Sequence, residues 1–217
     1  MIDAFGPVSI YPALSMVTGL LANALGYERH ETAPIQRLQD RLQMGARVEG
    51  KGVMISDFQI AQLQRDDAGW TRAGWVRRRG GEQTFESPHV RLRDYWSCLA
   101  VTLALGLQPE DEHPHLADLC EALRYPARPL FLGRKSCLPA AFLVGQHPFV
   151  EAADLRAALE PSVTPLIEGE ASWVGWQVPD APADRGQGRS ERVFDLRLWE
   201  EGPHAGWRDV WVDEQGR

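Results

Sequence analysis

"GWTRAGWVRRRGGEQTFESPHVRLRDYW" (Gly69–Trp96) decides how the rest of the chain is read. Between Trp70 and Arg93 it holds six arginines, Arg72, Arg77, Arg78, Arg79, Arg91 and Arg93, against two carboxylates, Glu82 and Glu86. Residues 70–93 are net +4 within a chain of net −7, so the remainder carries −11. Trp70, Trp75 and Phe85 are interleaved with the arginines, and Gly80–Gly81 sits near the middle. Gly-Gly between two extended arms predicts a hairpin. Arginine forks pair with phosphates, and aromatic faces stack on bases. A solvated loop needs neither Trp nor Phe, so the pattern favours an RNA-binding hairpin over a merely hydrated one.

Outward from this hairpin the elements fall into order. Leu14, Val17, Leu20, Leu21, Ala24 and Leu25 recur at helical spacing and Gly26 stops them, predicting a helix from Leu14 to Leu25. Ser15, near its start, is either a cap or a phosphate contact. Pro34 to Leu42 is a second short helix, with Ile35, Leu38 and Leu42 on one face. "GARVEGKGVMISDFQIAQL" predicts one or two strands with a turn at Gly50–Gly52. After the hairpin, "DYWSCLAVTLAL" reads as one buried strand, "HPHLADLCEALRYP" as a helix with Leu116, Leu119, Cys120 and Leu123 on one stripe, and "RPLFLGRKSCLP" as a short strand and a loop. Pro179 to Ser190 is an exposed loop. "RVFDLRLWEEGPHAGWRDVWV" alternates as a terminal hairpin.

Helix, strand region, hairpin, strand, helix, strand becomes βαββαβ if one strand is added in front. The fold class is therefore α+β, a ferredoxin-like (RRM/RAMP) palm with a protruding β-hairpin thumb at about residues 69–93. The palm domain spans 1–148 and a small C-terminal β region spans 149–217. Only "MIDAFGPVSIYP" precedes the first helix, and its two prolines and glycine make a poor central strand. Either the fold differs or the true start lies upstream.

The bulk numbers exclude several classes. With 217 residues, 44% of them apolar, the chain is one domain of ordinary size or one domain plus a small appendage. A pI near 5.4 argues against coating nucleic acid or anionic membrane indiscriminately, while leaving a local basic element possible. Cys98, Cys120 and Cys137 are odd in number and widely spaced, which fits a reducing cytoplasm and argues against disulfides or a thiolate zinc site. No signal peptide and no membrane span are expected. His113 and His115 lack a third ligand placed by sequence and read as capping or surface histidines. Cys98 reads as core and Cys137 as a small apolar residue. "GRKS" lacks the order of a Walker motif, yet Arg134 and Lys135 beside Gly133 could meet a phosphate.

Four segments, "SMVTGLLANALGY", "SDFQIAQL", "SPHVRLRDY" and "PARPLFLGRKSCLP", together resemble the CasD subunits of type I-E CRISPR Cascade complexes, members of the RAMP superfamily of ferredoxin-like RNA-binding proteins. The resemblance covers roughly residues 1 to 145. It implies a palm, a thumb formed by the opening stretch, and a non-catalytic subunit that holds the 5′ handle of the CRISPR RNA and caps the backbone filament. Its partners would be CRISPR RNA, the Cascade backbone subunits and the large PAM-reading subunit, with target DNA met indirectly. No cofactor and no metal are implied. Family members begin with a strand upstream of this Met1, so a mis-set start codon or a truncated gene is expected. The RNA-binding candidates are Ser15, Arg47, Arg72, Arg77, Arg78, Arg79, His89, Arg91, Arg93, Tyr95, Arg134 and Lys135. The alternative is a metal-independent endoribonuclease processing CRISPR repeat RNA, for which His89, Tyr95, Lys135 and His30 would be the acid–base candidates.

Overall fold

The computed structural model describes residues 5–6, 8–50, 52–61, 69–70, 76–77, 89–164, 171–177, 188–200 and 206–213. The chain divides into two compact units, residues 1–10 with 52–98, and residues 11–51 with 99–217. In chain order the elements are β1 (Phe5–Gly6), α1 (Leu14–Leu25), α2 (Thr32–Arg41), β2 (Leu42–Glu49), β3 (Val53–Ala61), β4 (Gly69–Trp70), β5 (Val76–Arg77), β6 (His89–Ser97), β7 (Ala100–Leu107), α3 (Leu116–Arg124), α4 (Leu155–Ala158), β8 (Ala171–Gln177), β9 (Arg189–Val193) and β10 (Arg208–Asp213).

The larger unit is a five-stranded sheet in the order β7-β2-β8-β10-β9, antiparallel at every pairing. Helices α1, α2 and α3 pack together. Leu14, Val17 and Leu21 of α1 join Ile35 and Leu38 of α2, Leu42 and Met44 of β2, Leu107 of β7 and Leu119 of α3 in one core. The spacing of the α1 residues is what makes the helix pay its ordering entropy, since each turn places one of them in that core. Gly26 ends α1 at φ 88°, where a side chain would be strained, and the Tyr27 N–H bonds the Ala22 carbonyl behind it. Leu21 is 1% exposed while its neighbour Leu20 is only part-buried. Leu119, at 2% exposure, is the α3 residue in this core. Leu119→Asp should abolish soluble folding by burying a charge, and Leu119→Ala should cost about 2–5 kcal/mol in urea denaturation. Soluble, fully cooperative Leu119→Asp protein would contradict this core.

The smaller unit holds a three-stranded sheet in the order β1-β6-β3 and a two-residue ladder, β4 with β5. β3 and β6 pair antiparallel along nine residues, from Val53↔Ser97 to Ala61↔His89. The turn predicted at Gly50–Gly52 is therefore the connection from β2 to β3, and Gly50 and Gly52 both take positive φ.

Four expectations are corrected. "DYWSCLAVTLAL" is two strands, because β6 stops pairing with β3 at Ser97, Cys98 takes φ 55°, and β7 begins pairing with β2 at Ala100. Cys98 is accordingly exposed rather than core. The segment 128–139 forms turns and no strand. Finally, β8, β9 and β10 do not stand apart as a separate C-terminal β region, since β8 pairs directly with β2 and extends the same sheet. β9 and β10 do form the predicted terminal pair; of the loop expected at 179–190, residues 179–187 lie outside the described residues, and Arg189 and Ser190 belong to β9 instead. Among the described residues β7 is an edge strand, bonded on one side to β2. In a βαββαβ order a strand ahead of α1 would lie against such an edge; the described N-terminal strand, β1, instead runs parallel to β6 in the other unit.

Candidate nucleic-acid interface

Strand periodicity builds the site. Successive side chains of a strand alternate between faces, and directly opposed residues of a pair share a face. On β6 this puts Arg91, Arg93 and Tyr95 on one face, opposite Gln59, Asp57 and Ile55 of β3, while the backbone of His89 opens the strand opposite that of Ala61. The other face carries Val90, Leu92, Asp94 and Trp96 with Ile60, Phe58, Ser56 and Met54. One face of the ribbon thus carries a basic and aromatic ladder, and the other an apolar row interrupted by Ser56, which donates to Asp94. Three candidates that were picked singly from the sequence are thus aligned by a single strand, with a step of about 6.8 Å between successive members. Arg91 also donates to the Val90 carbonyl at 2.7 Å, and Gln59 donates to Asp57 at 2.7 Å.

Beyond β3 and β6, Gly69↔Arg77 and Trp70↔Val76 pair antiparallel. The turn expected at Gly80–Gly81 lies outside the described residues, as do Arg72, Arg78, Arg79 and Phe85, and only the backbone of Arg77 is described. The arms of the hairpin start much earlier than residue 69, since pairing is continuous from Val53 and Ser97.

The remaining candidates belong to the larger unit, and two of them have other work. Arg47 is 1% exposed and Glu49 0%. Two nitrogens of Arg47 donate to Glu49 Oε1 at 2.9 and 2.7 Å, and a third donates to the Leu159 and Thr164 carbonyls at 2.5 and 2.8 Å. Thr102 donates to the same Glu49 oxygen at 2.6 Å. Arg47 is a structural clasp and is withdrawn from the RNA-binding set, because a phosphate cannot reach it. Ser15 is 6% exposed. The N-terminus of α1 is already satisfied, with the Leu14 N–H on the Asp195 carboxylate at 2.9 Å and the Ser15 N–H on the Asp195 carbonyl at 3.1 Å. Arg208 holds that carboxylate with three bonds of 2.8–3.0 Å. Asp195 thus stands where a phosphate would have to sit, and Ser15 is withdrawn as well. Sequence gave no hint of this, since Asp195 lies 181 positions from Leu14.

Arg134 and Lys135 sit in a tight turn closed by Cys137 N–H to Arg134 O at 2.8 Å and Leu132 N–H to Cys137 O at 2.7 Å. Gly133 enters it at φ 77°, and a Cβ there would meet Met16 at 3.4 Å. Lys135 is exposed and Arg134 part-buried, so both remain candidates. His113 and His115 sit at the start of α3, as capping residues do. His115 occupies the N-cap, and its backbone N–H donates to Asp118 at 2.7 Å. That bond, and then the His113 ring beside it, hold the Asp118 carboxyl below its usual range. Among the described residues, no helix is long and apolar enough to cross a membrane.

Comparison with known proteins identifies the architecture. Two solved structures share it. One is a chain of a "CRISPR RNA-guided surveillance complex", at TM-score 0.62 and 21% identity over 99% of this chain and 83% of that one. The other is a chain of a "Crystal structure of Cas protein", at TM-score 0.53 and 24% identity over 99% of this chain and 85% of that one. Curated proteins give no match. A family profile described as "CRISPR-associated protein (Cas_Cas5)" matches residues 3–211, nearly the full length, and the chain therefore belongs to the CRISPR-associated Cas5 family.

Proposed function

We propose that this chain is a non-catalytic, cytoplasmic RNA-binding subunit of a Cascade-type surveillance complex, holding the 5′ handle of the CRISPR RNA and capping the backbone filament. The observation that carries the reading is the one-faced ladder of Arg91, Arg93 and Tyr95 on β6, beside a segment, residues 70–93, of net +4 within an acidic chain. Such an arrangement grips one strand locally by phosphate contact and stacking, as single-stranded RNA requires, without attracting polyanions to the whole surface. The likeness to a chain of a surveillance complex supports the same reading. Exposed Phe58 at 59% and Ile60 at 59%, on the opposite face of the ribbon, suit contact with neighbouring subunits.

The endoribonuclease alternative needs an acid and a base at one phosphate. His89 and Tyr95 are six residues apart on a strand, or about 20 Å, so the two cannot serve the same bond. The test is co-expression with the genomic neighbours and a CRISPR array, followed by purification through another subunit. The chain should copurify with RNA of repeat-spacer length. Purified alone in EDTA, it should leave labelled repeat RNA intact. Assembly of an RNA-loaded complex that excludes the chain, or site-specific cleavage lost in His89→Ala, would overturn the proposal.

A further inference from the structure

The sequence leaves His113 and His115 without a third ligand; the fold supplies one. Asp118, one helical turn into α3, brings its carboxylate beside both rings. One ligand atom from each of His113, His115 and Asp118 lies within 4.8 Å of the other two. The ring centroids of the two histidines are 4.0 Å apart. We propose that His113, His115 and Asp118 form a surface binding site for a borderline divalent metal ion, zinc foremost, with water completing its coordination.

The donor chemistry is suited to that ion. Two imidazoles and one carboxylate are a nitrogen-rich set, which favours zinc and its neighbours over magnesium or calcium. Nδ1 of His115 lies 2.9 Å from the Glu110 carbonyl, which can only accept. In the tautomer that donates from Nδ1 to that carbonyl, Nε2 keeps the lone pair a metal needs. A backbone carbonyl orienting a ligand histidine in this way is a regular feature of zinc sites. Nδ1 of His113 lies 3.1 Å from Asp118 Oδ2, a contact held by one shared proton. The ion would take that proton's place, releasing at most one proton as it binds. Ligand atoms around tetrahedral zinc are about 3.3 Å apart, so the group must close somewhat from its metal-free spacing. His113 is free to do so, with its side chain 80% exposed.

The loop between β7 and α3 that carries the histidines is held in place from below. Arg41 is 1% exposed and donates to the carbonyls of Pro109 at 2.8 Å, Pro114 at 3.1 Å and Glu112. Arg37 holds the Glu112 side chain in a two-pronged pair at 2.8 and 2.5 Å. The backbone around both histidines is thus fixed before any ion arrives, which lowers the ordering cost of binding. Glu110 and Asp111 add negative charge to the same loop.

The test uses the untagged full chain, stripped with chelator, in a Cys98→Ser background that removes the exposed thiol. Zinc is titrated calorimetrically, and cobalt is followed by its visible absorption. The expected result is one ion per chain, a Tm rise of about 5 °C with zinc at roughly a hundredfold excess over Kd, and affinity at least about tenfold weaker in His113→Ala. His147→Ala, an exposed histidine elsewhere, should behave as the parent. Absence of saturable binding, or equal affinity in His113→Ala and its parent, would overturn the site. Because His113 is exposed, loss of folding does not confound that variant.

Discussion

Arg47→Ala will destabilise the chain by about 3–5 kcal/mol, a large share of the roughly 5–15 kcal/mol that holds an ordinary domain together. The reason is what the substitution leaves behind. Glu49 is 0% exposed, and its carboxylate oxygen Oε1 would lose both guanidinium bonds while the Thr102 hydroxyl stays. A buried carboxylate that loses its guanidinium must either stay ionised at a greater cost or take up a proton. The Leu159 and Thr164 carbonyls lose their donor at the same time, so the 155–164 segment loosens from β2. The measurement is urea denaturation followed by tryptophan fluorescence, with an expected fall in Tm on the order of 10 °C. Arg47→Met with Glu49→Leu should recover most of the loss, because an apolar pair of similar volume needs no desolvation. If Arg47→Ala unfolds like the parent protein, the clasp is not structural and Arg47 returns to the list of surface candidates.

Arg47 also shows where sequence reading stops. On β2, Arg47 and Glu49 alternate with Ala46 and Val48, which looks like a strand with one solvated face. That face is covered because residues 159–164 return from more than a hundred positions away. Nothing local announces such a return. The same holds for Ser15, whose helix end is filled by Asp195. Local signals did well by comparison. The 3.6-residue spacing and the terminal glycine gave α1 its bounds, because both the driving force and the stop lie within the segment. The β6–β7 break was hidden for a different reason. Each half is apolar enough to be a strand, and only the change of partner from β3 to β2 separates them. Of the interface, the residue types and their concentration were legible. Their shared face followed only once His89 was seen to begin β6. Asp118 was not singled out in the sequence, and its place beside both histidines depended on where α3 begins.

Arg77→Ala/Arg78→Ala/Arg79→Ala should weaken binding of repeat-derived RNA and flatten its salt dependence while leaving thermal unfolding unchanged. Each phosphate contact on a single strand contributes about −0.7 to the slope of log K against log salt. Five contacts, the number expected for the basic hairpin, give a slope of roughly −3.5; removing three leaves about −1.4. Between 50 and 200 mM salt the parent should then lose about 100-fold in affinity and the triple variant less than about 10-fold. Arg91→Ala/Arg93→Ala, on the ladder face of β6, should take a further unit or so from the slope if both arginines meet phosphates. The two variants separate two ways of using the charge. Flattening by both means that the RNA meets both β6 and the Arg77–Arg79 cluster. Flattening by Arg91→Ala/Arg93→Ala alone would confine the RNA to the paired strands and leave Arg77, Arg78 and Arg79 for a partner subunit. An unchanged slope in both would mean that the net +4 of this segment is not what holds RNA, and the proposed interface would fall with it.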